Sequence, residues 1–197
     1  LIVTSDHGEQ MGEHGLWEHS HFLFDETMQV PLLMCGPEIP SGEVRQDLVS
    51  SIDIFDTICD VCGIELPDST SGQSIFSESP RDAVFMEYGV RPREFRTESG
   101  HGRYLDDEQL ARFRAGRKGI RTLEHRYVRT SDGEELLYQL PSQKLVENPT
   151  QDDLDEYRDR LFDVLPEEYG RWPEGDIEEF GISEAASRNL EHLGYID

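Results

Sequence analysis

Thr4-Ser5-Asp6-His7-Gly8-Glu9-Gln10-Met11-Gly12-Glu13-His14-Gly15-Leu16-Trp17-Glu18-His19-Ser20-His21 follows directly on an apolar triplet, Leu1-Ile2-Val3. The triplet reads as the end of a buried parallel strand. Asp6 and His7 then stand where that strand stops, and open α/β sheets build their sites outside the carboxyl ends of strands. Four of the chain's seven histidines lie in this stretch, with Asp6, Glu9, Glu13 and Glu18 among them. Gly8, Gly12 and Gly15 permit tight turns and close approach of the backbone to a ligand. Carboxylate oxygen beside imidazole nitrogen is ligand chemistry for a divalent cation. Two other readings of the same residues stand beside this one. One is a solvated polar loop; the other is a zinc site that uses His7 with His14 or His19. A zincin is excluded, because no His-Glu-x-x-His spacing occurs.

Outward from this loop, Phe22 to Met28 suits a short helix or turn, and Val30 to Cys35 a strand with Pro31 near its start. Gly36-Pro37, Pro40 and Ser41-Gly42 mark a loop, and Val44 to Val49 reads as extended. Ser50 or Ser51 is placed to cap a helix that carries Asp53 in its first turn and ends at Gly63. Within it, Cys59-Asp60-Val61-Cys62 is a lone C-x-x-C. Helical spacing puts Ile54, Ile58 and Val61 on one stripe and Phe55, Cys59 and Cys62 on the next, which favours buried cysteine over a redox pair. Ala83 to Tyr88 is a strand, and Asp106 to Arg114 a short helix. Lys118 to Thr122, His125 to Thr130 and Glu135 to Leu140 form a meander whose second turn carries Asp132-Gly133. Asp152 to Leu165 is a helix with an acidic first turn. A last helix, capped by Ser183, runs to about His192.

Several of these segments together resemble a known family. Thr4-Ser5-Asp6-His7-Gly8-Glu9, Gly12-Glu13-His14-Gly15-Leu16-Trp17, Phe24-Asp25-Glu26 and Val30-Pro31-Leu32 are similar to the second half of the type I sulfatases, in the alkaline-phosphatase superfamily. The resemblance continues through Asp53-Ile54-Phe55-Asp56-Thr57-Ile58, Gly63-Ile64, Gly72-Gln73-Ser74 and Arg81 to Tyr88, and ends at Leu193-Gly194-Tyr195-Ile196. It implies an α/β fold: part of an alkaline-phosphatase-like sheet with helices in residues 1–90, then a small α+β carboxy-terminal subdomain, with an antiparallel sheet and helices, in residues 91–197. It implies Asp6 and His7 as two ligands of a divalent metal, calcium by its hard oxygen ligands, with the imidazole leaving Mg²⁺, Mn²⁺ or Zn²⁺ open. One departure matters, since the family has Trp-Gly-Lys where this chain has Trp17-Glu18-His19. By position His19 replaces the lysine as sulfate contact or acid, His21 is its substitute, and His14 lines the same pocket. Each of the three also reads as a partly exposed loop histidine, His19 less so than His14 and His21.

The family's nucleophile is a formylglycine made within Cys/Ser-x-Pro-x-Arg. Cys35-Gly36-Pro37-Glu38-Ile39 offers the Cys and Pro but has Ile where Arg is needed, and the family motif precedes the metal loop. Formylglycine and the family's first pair of aspartates are therefore expected in a missing amino-terminal part. The implied activity is hydrolysis of a sulfate monoester on a small molecule or saccharide. The alternatives are a phosphodiesterase or phosphonate hydrolase of the same superfamily, and a catalytically dead module that binds metal or anions.

Composition bounds the partners. The net charge of −24 comes from 42 acidic against 18 basic residues, and only Lys118 and Lys144 are lysines. Nucleic acid and anionic membranes are polyanions and are disfavoured. No apolar run approaches a membrane span. The 197 residues start inside a strand, without an initiator Met or a leader, and the expected location is cytoplasmic. Three cysteines make no disulfide framework. The acids are spread among regular apolar positions, so they read as a solvated folded surface. An acidic, lysine-poor surface fits adaptation to high salt, where self-repulsion is screened. The melting temperature of the folded protein is therefore expected to rise between low and molar KCl; a flat dependence in a thermal-melt series refutes the salt adaptation.

Overall fold

The computed structural model describes residues 1–19, 22–37, 39–67, 69–90 and 107–171. Two short antiparallel pairs come first. β1 (Ile2–Thr4) pairs with β4 (Leu32–Met34), and between them in sequence β2 (Gln10–Met11) pairs with β3 (Trp17–Glu18). α1 (Asp25–Met28) and α2 (Asp53–Cys62) follow, and then β5 (Val84–Tyr88) and α3 (Asp107–Arg114). A meander of β6 (Arg117–Arg121), β7 (His125–Thr130), β8 (Glu135–Gln139) and β9 (Lys144–Leu145) leads to α4 (Gln151–Phe162). β5 pairs antiparallel with β6 from Val84↔Arg121 to Tyr88↔Arg117, so the sheet has five strands in the order β5-β6-β7-β8-β9. No described helix is long and apolar enough to cross a membrane.

The sheet is covered on both faces: successive side chains alternate between them, and β6 and β7 are buried almost continuously. One face carries Ala83, Ile120, Tyr127 and Leu137, all buried, against Leu161 of α4, with Leu154, Tyr157 and Phe162 packed alongside. α4 begins at Thr150, whose hydroxyl accepts the Asp153 N–H while the Asp153 carboxylate accepts the Thr150 N–H, a reciprocal cap. The opposite face carries Met86 and Val128 against Leu23, with Tyr88, Leu136 and Tyr138. Leu23 belongs to the segment that leaves the histidine-rich loop, so this second face seats the loop on the sheet.

A charged cluster fixes that seat. The Asp25 carboxylate accepts from Arg121 Nη1 at 2.5 Å and from Arg126 Nη1 at 2.9 Å. Arg121 and Arg126 are register partners on β6 and β7, so a single carboxylate reaches both. Gln143 closes the ring: its Oε1 accepts from the Asp25 N–H and from Arg126 Nη1, and its Nε2 donates to Glu26 Oε1 at 2.7 Å.

Three expectations are corrected here. The opening triplet is not a buried parallel strand among the described residues. β1 pairs antiparallel with β4, the segment that returns after the loop, and Val3 and Leu33 are half or more exposed. α2 also turns its faces the other way. It buries Asp53, Asp56, Thr57 and, as expected, Cys59, whereas Phe55, Ile58, Val61 and, against expectation, Cys62 are exposed. Hydrogen bonding decides this orientation. Asp53 takes a bidentate contact from Arg81 and accepts the Ser50 and Gln73 N–H groups, while Thr57 Oγ1 donates to the Asp53 carbonyl and accepts from the Ile75 N–H. Neither Ser50 nor Ser51 makes a side-chain cap; the N-cap position is Ile52, and the Asp53 carboxylate accepts the Ser50 N–H just ahead of the helix. Gly63 ends α2 at φ 64°, as expected. The helix expected from Ser183 lies outside the described residues.

Candidate functional site

The histidine-rich stretch is shaped by the β2–β3 hairpin. Gly12 at φ 116° and Gly15 at φ 73° bracket a 3-10 turn over Glu13–Gly15, conformations that favour glycine. The Glu13 carboxylate accepts the Met11 N–H at 2.6 Å. That bond, with one from its own N–H, holds Glu13 below the usual carboxylate range. Register then places the chemistry. Gln10 pairs with Glu18, so the residues just outside, Glu9 and His19, fall opposite each other. His19 Nδ1 lies 3.1 Å from Glu9 Oε2, and the His19 ring stacks on His7 with centroids 4.0 Å apart and planes 18° from parallel. One ligand atom from each of His7, Glu9 and His19 comes within 4.8 Å of the others.

Asp6 adjoins this group. Its Oδ2 lies 3.7 Å from His7 Nε2, and its Oδ1 accepts the His7 N–H. Hydrogen bonds from its own N–H and from that of His7 hold its carboxyl below the usual range. His7 Nδ1 lies 2.9 Å from the Gly8 carbonyl. The ring thus donates there from Nδ1 and keeps Nε2 for a ligand, the arrangement typical of metal-binding histidine. Two imidazoles with two carboxylates make a donor set that fits a divalent cation.

His14 has other partners. At φ 55° it turns its ring onto Phe24, with centroids 3.8 Å apart, and brings Nε2 to 3.4 Å from Glu26 Oε2. It lines the junction with α1, and no contact joins it to His7 or His19 among the described residues. His21 lies outside the described residues. Glu9 is the group that residue types alone left among several acids; the hairpin register singles it out.

The family described as "N-sulphoglucosamine sulphohydrolase, C-terminal" matches residues 12–113. With the alkaline-phosphatase-like fold of its structural neighbours, the chain belongs to the sulfatase family. Human arylsulfatase K is 31% identical over 141 residues, covering 71% of this chain and 25% of that protein. The extracellular sulfatase SULF-1 homolog of Drosophila melanogaster is 34% identical over 117 residues, covering 58% of this chain and 10% of that protein. The chain thus spans about a quarter or less of the curated relatives it matches. Among solved structures, a 2-O GAG sulfatase superposes with TM-score 0.65 at 20% identity, over 82% of this chain and 35% of that one. A phosphonate monoester hydrolase from Silicibacter pomeroyi superposes with TM-score 0.63 at 23% identity, over 82% and 33%. A cytoplasmic location is overturned by these relatives, since the Drosophila protein is named as extracellular.

The loop's position depends on Gly8. Its N–H donates to the Thr27 carbonyl at 2.8 Å, and a Cβ at this position falls 2.0 Å from the Glu26 carbonyl oxygen. Because the obstacle is backbone, Gly8→Ala must push the loop off α1. It is expected to destabilise the protein by about 1–3 kcal/mol or more. Chemical denaturation checks this, and an unchanged midpoint contradicts the close approach.

Proposed function

We propose that the protein carrying this chain hydrolyses a sulfate monoester of a saccharide or small molecule, with Asp6 and His7 as metal ligands and His19 as sulfate contact or general acid. The observation that supports this most is the convergence of His7, Glu9 and His19 beside Asp6 on a loop that runs into the segment matched by the sulfatase family, which includes His19. Calcium is the proposed metal, and a formylglycine from outside these residues the proposed nucleophile. A bound cation supplies fixed positive charge against the sulfate oxygens and the leaving oxygen. Glu9 orients the His19 ring through Nδ1, leaving Nε2 to meet the substrate. His14, held on Phe24, is proposed for the pocket wall, and His21 as the alternative donor. Residues 1–90 are read as part of the catalytic α/β domain and residues 91–197 as a small α+β subdomain, with β5 pairing across the division. An extracellular or lumenal location accompanies this reading.

The second reading, a phosphonate or phosphodiester hydrolase, is favoured by the likeness to phosphonate monoester hydrolases. Parallel assays on an aryl sulfate and an aryl phosphonate ester decide between them, with the higher kcat/KM naming the chemistry.

The 197 residues contain no Cys/Ser-x-Pro-x-Arg, so they are expected to show no turnover by themselves. In the full-length protein, Asp6→Ala is expected to lose bound metal and activity together while the melting temperature of the metal-free form is unchanged. The Asp6 carboxylate is exposed and does not support the core. Metal analysis and an aryl sulfate assay check this. Undiminished metal and rate in Asp6→Ala remove the site, and stoichiometric zinc in the wild type replaces calcium.

A further inference from the structure

Two donor sets of different chemistry share His7. On one side stands Asp6, a hard carboxylate whose Oδ2 is 3.7 Å from His7 Nε2. On the other stand Glu9 and His19, which with His7 bring one ligand atom each within 4.8 Å of one another. The second set holds two imidazoles and a single carboxylate. Calcium and magnesium take oxygen ligands, whereas imidazole nitrogen suits zinc. The two sets therefore favour different ions, and His7 cannot serve both at once.

The nitrogen-rich set has the spacing of a zinc site along one edge. His19 Nδ1 and Glu9 Oε2 are 3.1 Å apart. Two donors on one tetrahedral zinc ion, each about 2.0–2.1 Å from the metal, stand roughly 3.3 Å from each other. An ion between His19 and Glu9 takes the place of the bridging proton, which the ring carries on Nε2 instead. His7 supplies the third donor. Its ring is stacked 4.0 Å from that of His19, and its Nδ1 is engaged by the Gly8 carbonyl, which leaves Nε2 as the ligand atom. A small rotation of the three side chains closes the remaining gap. Solvent reaches all of them: the side chains of His7, Glu9 and His19 are 37%, 43% and 44% exposed. Three protein ligands leave the fourth position of zinc to water. His14 takes no part, because its Nε2 is turned to Glu26.

We propose that His7, Glu9 and His19 form an inhibitory zinc site. Zinc held there draws His7 away from Asp6 and the working cation, and it engages the His19 ring that otherwise meets the sulfate. Turnover stops while zinc is bound. The inhibition rests on the sulfatase reading above; the binding of zinc by the three side chains does not.

The test titrates Co²⁺, a stand-in for zinc that absorbs visible light, into the full-length protein in saturating calcium. A saturable d–d absorption of four-coordinate intensity is expected, without thiolate charge-transfer absorption. Glu9→Gln and His19→Gln are each expected to weaken Co²⁺ binding at least about tenfold. Zinc is then expected to displace Co²⁺ and to stop aryl sulfate hydrolysis over the same concentration range, with calcium held constant. No absorption, absorption that both variants leave unchanged, or thiolate absorption from the exposed Cys35 and Cys62 puts the ion elsewhere and overturns the proposal. So does zinc that displaces Co²⁺ yet leaves turnover intact or supports it. A wild type that hydrolyses no aryl sulfate in calcium sinks the sulfatase reading and the inhibition with it, while the Co²⁺ absorption still reports on the three ligands.

Discussion

The ion cluster at Asp25 is the constraint on which the rest depends. Arg126 is buried on the sheet, and burial pulls its pKa down despite the neighbouring carboxylate. An unpaired charge in that position is strongly unfavourable, and breaking a buried pair costs about 3–5 kcal/mol. Asp25 is the charge that makes Arg126 tolerable, and it arrives on α1, which also presents the Thr27 carbonyl to Gly8. Docking α1 on β6 and β7 therefore docks the histidine-rich loop. The chain from Arg126 through Asp25 to Gly8 carries sheet geometry to the residues with metal-ligand chemistry.

Arginine rather than lysine suits such a design. A planar fork can serve two acceptors along defined directions, as Arg126 does for Asp25 and Gln143, and as Arg81 does bidentately for Asp53. Lys118 shows the other use of a cation. It is fully buried, with its ammonium 3.0 Å from Glu87 and a further bond to the Pro166 carbonyl. Its position links β6 to the segment after α4. Among the described residues most acids are exposed, with Asp53 and Asp56 as buried exceptions, while Arg81, Lys118 and Arg126 fasten internal contacts.

Much of this was legible in the sequence wherever a local rule decides. The β7–β8 turn follows from Asp132-Gly133, with Gly133 at φ 95°, and the end of α2 follows from Gly63. Strand β5 was legible as a strand, but its partner was not, because pairing with β6 spans a long stretch of intervening chain. The face that α2 buries was misread, since apolar spacing cannot foresee that Asp53 and Thr57 find complete hydrogen-bond partners in residues 73–81. In the site, Asp6 and His7 were visible as adjacent ligand types after an apolar start. The meeting of Glu9 with His19 required the register of a hairpin with only two residues per strand, too short to carry a periodic signal. His14 was grouped with the other histidines by position, and its own left-handed backbone sets the ring on Phe24 with Nε2 near Glu26, contacts that spacing does not show.

Hydrogen exchange of the Gly8 amide in Asp25→Asn tests the coupling of sheet to loop most directly. Asparagine keeps the side chain's size and removes the charge that holds Arg121 and Arg126. The coupling predicts that Gly8 exchange quickens at least about tenfold, while the Tyr127 amide in the centre of the sheet keeps its protection. Unchanged protection at Gly8 in a folded Asp25→Asn protein would contradict it.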